Sequence, residues 1–227
     1  MKTKNKYIYR SKLSEAKFRE IVKYFSLDIE ANKAAVLSSL NRNTLNRYYL
    51  MIRKSIAEYC EIQCCKHKDI SINYYKDNKD DNRQKCIVLK SGSMVFGMRL
   101  MNGTIYTEII NENEIPGGKT VLLTKQDIDY FISSCRNNRW RSYRAVADYA
   151  GGRYIRISND FIDIKEDKDG KVCDLFWGYV KNRLMKFNGV SKKTLYFHIK
   201  ECEFRFNNRN ENLYKLLLKI IRENPLT

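Results

Sequence analysis

Four arginines, Arg136, Arg139, Arg141 and Arg144, crowd a stretch in which no carboxylate occurs from Tyr130 through Ala147. Guanidinium groups gathered without acids make a poor cation site and a good phosphate site. The plainer alternative is a solvated basic loop. A second group, Arg42, Asn43, Thr44, Asn46 and Arg47, combines side chains that contact base edges with side chains that hold phosphates. Cys60, Cys64, Cys65, His67 and Cys86 invite a zinc reading. However, no CxxC pair occurs and Cys64 and Cys65 are adjacent, so the spacing points to scattered free thiols. His67 and His198 are the only histidines, and neither has a Cys or Ser arrangement suited to a nucleophile. Gly151-Gly152 follows a helix-like AVADYA and reads as a helix C-cap rather than a phosphate cradle.

Lys and Arg total 43 against 26 Asp and Glu, a net charge of +17. That excess favours polyanion partners. Asn, Lys, Ile and Tyr are frequent in the way AT-rich coding sequence produces, so part of the lysine excess is compositional. With 43% hydrophobic and 12% aromatic residues, a packed core is expected and general disorder is not. No run approaches the ~18 apolar residues of a membrane span, and MKTKNKYIYR has no apolar signal core. Seven cysteines, an odd number, add to the expectation of a reducing interior, cytoplasmic or nuclear/nucleoid, with no membrane partner.

The elements that would position these groups fall into three parts. SKLSEAKFREIVKYF predicts a helix capped by Ser14, with Phe18, Ile21, Val22 and Phe25 on one face. IEANKAAVLSSL predicts a short helix packed through Ala31, Ala34, Ala35 and Leu37. Asn41-Arg42-Asn43 breaks the pattern, and Thr44 opens a third helix with Leu45, Tyr48, Tyr49, Ile52 and Ile56 at helical spacing. Helix, short polar turn, helix is the arrangement that places a recognition helix in a major groove; an ordinary helical hairpin is the alternative. A strand over Asp69–Tyr75 and a loop over Tyr75–Lys85 follow. SMVFGMRL and TIYTEII, separated by Met101-Asn102-Gly103, predict a hairpin. Apolar runs at 121–123 and 128–132 and a strand at 153–158 precede three helical segments: LFWGYVKNRLMKF, TLYFHIKECEFRF and NLYKLLLKIIREN. In the second of these, Phe197, Cys202 and Phe204 are expected in the core and Lys200 and Arg205 on the surface. The fold class expected is α/β or α+β.

LNRNTLNRYYLMIR, MVFGMRLMNGTIYTEII, RWRSYRAVADYAGGRYIRIS, FWGYVKNRLMKFNGV and FHIKECEFRFNNRNENLYKLLLKIIREN together resemble one family, in consistent order over about residues 5–225. It is the compact DDE transposases of bacterial insertion sequences related to eukaryotic Merlin elements, including the ISXO-type domain. The resemblance implies a helix-turn-helix domain at 1–62. It also implies an RNase H-like domain with C-terminal helices at 63–227, and two divalent metals that activate water and then a 3′-hydroxyl for cleavage and joining.

That chemistry needs carboxylates, because Mg²⁺ takes hard anionic oxygens in near-octahedral geometry. The family's first acid stands in Asp-Glu-Ser-Tyr-Phe; Ser71-Ile72-Asn73-Tyr74-Tyr75 matches it, so Ser71 replaces the Asp. The second stands in Asp-Gly-Trp-Arg-x-Tyr; the matching Asn138-Arg139-Trp140-Arg141-Ser142-Tyr143 puts Asn138 in its place. The third opens Glu-Ser-Phe-Trp, and Asp174-Leu175-Phe176-Trp177 keeps the charge with one methylene less. Lys181 matches the basic residue seven positions on. Asp69, two residues before Ser71, would lie ~7 Å further along a strand, far for ions bound at ~2.1 Å.

The expected function is therefore a transposase-derived DNA-binding protein, catalytically silent, with no metal cofactor. Arg42, Asn43, Thr44, Asn46 and Arg47 would read DNA, and Arg136, Arg139, Arg141, Arg144, Lys181 and Arg183 would hold phosphates. One alternative is an active transposase with an altered site, Asp174 binding Mg²⁺ or Mn²⁺. Another is a structural or RNA-associated role in a ribonucleoprotein, since aromatic-rich basic segments suit RNA as well. Terminal inverted repeats as the DNA partner and a homodimer follow from the resemblance alone.

Overall fold

Ser14 starts helix α1 (Glu15–Ser26): its backbone is extended and its Oγ accepts from the Lys17 amide at 3.2 Å. The computed structural model to which this belongs describes residues 5–9, 11–66, 87–89, 95–110, 121–123, 143–148, 153–156, 168–187 and 190–227. Phe18, Ile21, Val22 and Phe25 are buried along one stripe of α1, as the spacing predicts. Asp28, in left-handed backbone at φ 57°, turns the chain into α2 (Ala31–Ser38). There the inward positions are Ala34 and Ser38, one turn apart, and Ser38 Oγ donates to the Ala34 carbonyl at 2.6 Å. Leu37, expected inside with Ala34, is instead 57% exposed because so short a helix buries one narrow face.

Ser39, at φ 53°, closes α2 in the left-handed region. Helix α3 (Arg42–Lys66) follows a three-residue turn and starts two residues before Thr44. Asn41 explains the earlier start, because its Oδ1 accepts from the Asn43 amide at 2.8 Å. Leu45, Tyr49, Ile52 and Ile56 are buried on its inner face.

The chain divides into two compact units, residues 1–65 with 197–227, and residues 66–196. In the first, α5 (Lys192–Asn207), whose residues from Phe197 onward belong here, and α6 (Leu213–Glu223) complete the core. Phe204, Leu217, Ile220 and Ile221 join Phe18, Ile21, Leu45 and Ile56 in one apolar cluster. A backbone bridge between Ile8 and Leu226 ties the ends together: Tyr9 N donates to Leu226 O and Leu226 N to Tyr7 O, each at 2.9 Å. The contiguous division expected at 62/63 is therefore corrected. The first boundary lies within three residues, but the last 31 residues return to the N-terminal helices. The amphipathic face of α6 finds its apolar partner there.

The second unit is built on strands β1 (Ile87–Leu89), β2 (Val95–Met101), β3 (Thr104–Ile110), β4 (Val121–Leu123), β5 (Tyr143–Asp148) and β6 (Arg153–Arg156). β1 pairs with β4, and a four-stranded sheet runs β3-β2-β5-β6; every pairing among the described strands is antiparallel. Asn102 and Gly103, at φ 52° and 75°, form the two-residue turn of the β2–β3 hairpin, as Asn-Gly predicts. Helix α4 (Lys168–Leu184) buries Cys173, Phe176, Trp177 and Val180, with Trp177 5.9 Å from the Phe96 ring of β2. The helix-like AVADYA is a strand in its first part: Ala145 and Ala147 lie opposite Met98 and Phe96. Small side chains facing large ones decide the matter against alanine's helical preference. Gly151-Gly152, expected as a helix C-cap, lie outside the described residues. Helices and antiparallel strands in separate stretches make the fold α+β.

Candidate nucleic-acid interface

The N-terminal half of α3 gathers the group Arg42, Asn43, Thr44, Asn46 and Arg47. Arg42, Asn43, Asn46 and Arg47 are exposed and Thr44 is half-buried. Lys54, seven residues beyond Arg47, continues the same exposed face. Among the described residues, Arg42, Arg47 and Lys54 make no ion pair. Further along, the exposed side carries Glu58 and Glu61, so the charge of α3 changes sign along its length. The basic half coincides with the helix N-terminus, whose amides and dipole add to the attraction for anions.

What fixes this surface lies behind it, on α5. Glu201 is buried, accepting from Arg53 Nε of α3 at 2.7 Å and from Arg205 Nε at 2.8 Å. Arg205 Nη1 donates to the Ser26 carbonyl at 3.0 Å, and its Nη2 to the Phe25 carbonyl, thereby capping the last turn of α1. Its guanidinium also stacks over the Phe25 ring at 5.0 Å. Tyr49 of α3 donates to the Ile29 carbonyl at 2.9 Å, in the link between α1 and α2. The turn entering α2 is thus held from both α3 and α5. A second buried cation, Lys200, meets Glu203 at 3.1 Å and Glu61 at 2.8 Å. Burial pulls its ammonium down, but Glu203 and Glu61 outweigh that and hold it above the ordinary lysine range.

Lys200 and Arg205, expected at the surface, are therefore 1% and 7% exposed. A charged helix reads as a solvated face, yet the pairs Glu201–Arg205 (i, i+4) and Lys200–Glu203 (i, i+3) carried the available signal of mutual neutralisation. Cys60 donates its thiol to the Lys200 carbonyl at 3.8 Å, and burial pushes that thiol up. Cys60 and Cys64 are buried on the inner side of α3 and form no disulfide; His67 and Cys86 lie outside the described residues. Among the described residues no group of three His, Cys, Asp or Glu could hold a metal.

The transposase-like positions are less fully placed. Ser71, Asn138, Arg136, Arg139 and Arg141 lie outside the described residues. Arg144 is the extra residue at a bulge, between Ala145 opposite Met98 and Tyr143 opposite Arg99. Asp174 and Lys181 are exposed on α4, and the Lys181 ammonium stands 5.6 Å over the Trp177 ring. Arg183, expected on a phosphate-binding surface, is corrected: it is 3% exposed, on the inner stripe shared with Val180 and Leu184. Its guanidinium packs over the Phe187 ring at 5.6 Å.

A stretch of 33 residues, 14% of this chain, is 52% identical to an uncharacterized transposase-like protein of Haemophilus influenzae. The similarity to a transposase-like sequence is local. It spans about a quarter (27%) of that relative. No family model and no solved structure matches the chain.

Proposed function

We propose that this is a transposase-derived DNA-binding protein without two-metal strand chemistry. The carrying observation is the exposed, uncompensated basic half of α3 behind a three-residue turn, a layout that suits a recognition helix. On this reading α1 to α3 form a helix-turn-helix in which Asn43, Asn46 and Arg47 meet base edges and Arg42 and Lys54 meet phosphates. The strand-bearing unit descends from an RNase H-like DDE domain, on the strength of the family resemblance and of the local similarity to a transposase-like protein. Ser71, Asn138 and Asp174 would supply one carboxylate among three ligand positions. A hydroxyl and an amide are neutral donors, ill matched to two divalent ions that must each be held by anionic oxygens.

Selection of bound duplexes from a random library should enrich a defined site, and the Asn46→Ala/Arg47→Ala double variant should lose that preference while keeping its fold. Unchanged preference would remove the interface assignment. In a nicking assay the chain should be silent with Mg²⁺ or Mn²⁺. Metal-dependent nicking that disappears in Asp174→Ala would establish an active enzyme in place of a silent one.

A further inference from the structure

Helix α6 presents two unlike faces. Leu217, Ile220 and Ile221 are buried in the core of the first unit, while Lys215, Lys219 and Arg222 are exposed. Those three follow i, i+4, i+7 and so line one side of the helix over ~10 Å. Like Arg42, Arg47 and Lys54 of α3, they differ from the paired surface cations around α1 and α2. Lys6 and Arg19 share Glu15, Lys17 meets Glu20, and Lys33 meets Glu30. Among the described residues Lys215, Lys219 and Arg222 pair with no acid, although Glu211 and Glu223 are exposed at the two ends of the helix. The helix is also held at both ends. Asn212 Oδ1 accepts from the Lys215 amide at 3.1 Å, and Leu226 is bridged to Tyr7 and Tyr9 just beyond the last turn.

Three uncompensated cations on a fixed helix present a ready surface to closely spaced phosphates, at little ordering cost. A membrane surface is the poorer match, because an interfacial helix needs its apolar face free and that of α6 is consumed in the core. We propose that Lys215, Lys219 and Arg222 form a second phosphate-binding surface, which grips the backbone of the duplex DNA held by the first unit without reading its sequence. This rests on the proposed DNA-binding function and adds the chain's C-terminal helix to the interface.

The test is the salt dependence of binding to a 40-base-pair duplex, followed by fluorescence anisotropy. Every phosphate no longer neutralised by the protein lowers the slope of log K against log salt by about 0.9. The K215Q/K219Q/R222Q variant should therefore lose about 1 to 3 units of slope. It should keep its melting temperature and its ratio of specific to non-specific affinity. K215R/K219R/R222K, which retains the charge, should keep the wild-type slope. K6Q/K17Q/K33Q removes the same net charge from compensated positions and should change the slope by less than about half a unit. An unchanged slope in the first variant, or an equal change in the third, would overturn the inference. So would loss of binding to phosphatidylserine vesicles with the DNA slope intact. Failure of the wild-type chain to bind any duplex would count against the DNA-binding function itself.

Discussion

Arg205 donates to two carbonyls that lie 179 and 180 residues earlier in the chain. It also meets Asp28 at 4.0 Å, and its buried partner Glu201 is shared with Arg53, so one carboxylate stands between two guanidiniums out of solvent. Networks of this kind add little over an apolar core when intact but are costly to break in half. Arg205→Ala would leave the end of α1 uncapped and Glu201 with one partner fewer. It should destabilise the protein by about 3–5 kcal/mol in urea unfolding. Arg205→Lys should recover only a minor part, since a single ammonium cannot serve a carboxylate and two carbonyls in the fork geometry of arginine. Near-complete rescue by lysine would mean that charge alone, and not the directed bonds to Phe25 and Ser26, is what matters.

At the scale of elements, α2 ends on a strained residue. Ser39 holds φ 53° with its amide bonded to the carbonyls of Ala35 and Val36, a place where glycine is at ease and a side chain costs about 1 kcal/mol. Ser39→Gly should therefore raise the melting temperature by about 1–4 °C without altering DNA affinity, since Ser39 is not among the residues proposed to touch DNA. A fall in melting temperature would show that the serine side chain makes up for its backbone. Elements with local signals were the legible ones: the Ser14 cap, the α1 stripe and the Asn102-Gly103 turn each act within a few residues. The Tyr143–Asp148 strand was obscured because Ala145 and Ala147 are chosen by Met98 and Phe96 across the sheet. The exposure of Arg42, Asn43, Asn46 and Arg47 on α3 is readable because exposed polar side chains need no tertiary partner. Lys200, Arg205 and Arg183 were not, because a buried cation and a solvated one look alike until their partners are placed.

For the whole molecule, the decisive fact is that the N-terminal helices share their core with Leu217, Ile220 and Ile221. A fragment of residues 1–66 retains α1 to α3 but leaves Phe18, Ile21 and Ile56 without these partners. It should lack near-ultraviolet circular dichroism and show no cooperative thermal transition, whereas the full chain should show both. A fragment that melts cooperatively would restore the simple division at 62/63. Nothing in the periodicity of α6 could have named its partner, since an amphipathic stripe specifies that it must be covered and not by what.

The same closure carries a consequence for biosynthesis. Translation proceeds at about 5–20 residues per second, so Ile221 is made roughly 10–30 s after Ile56. Throughout that interval the nascent chain displays the apolar faces of α1 and α3 to solvent, long past the point at which their own sequence is complete. The first unit therefore cannot complete its core until Ile221 has been made, and it is in this window that a holding chaperone would find its binding site.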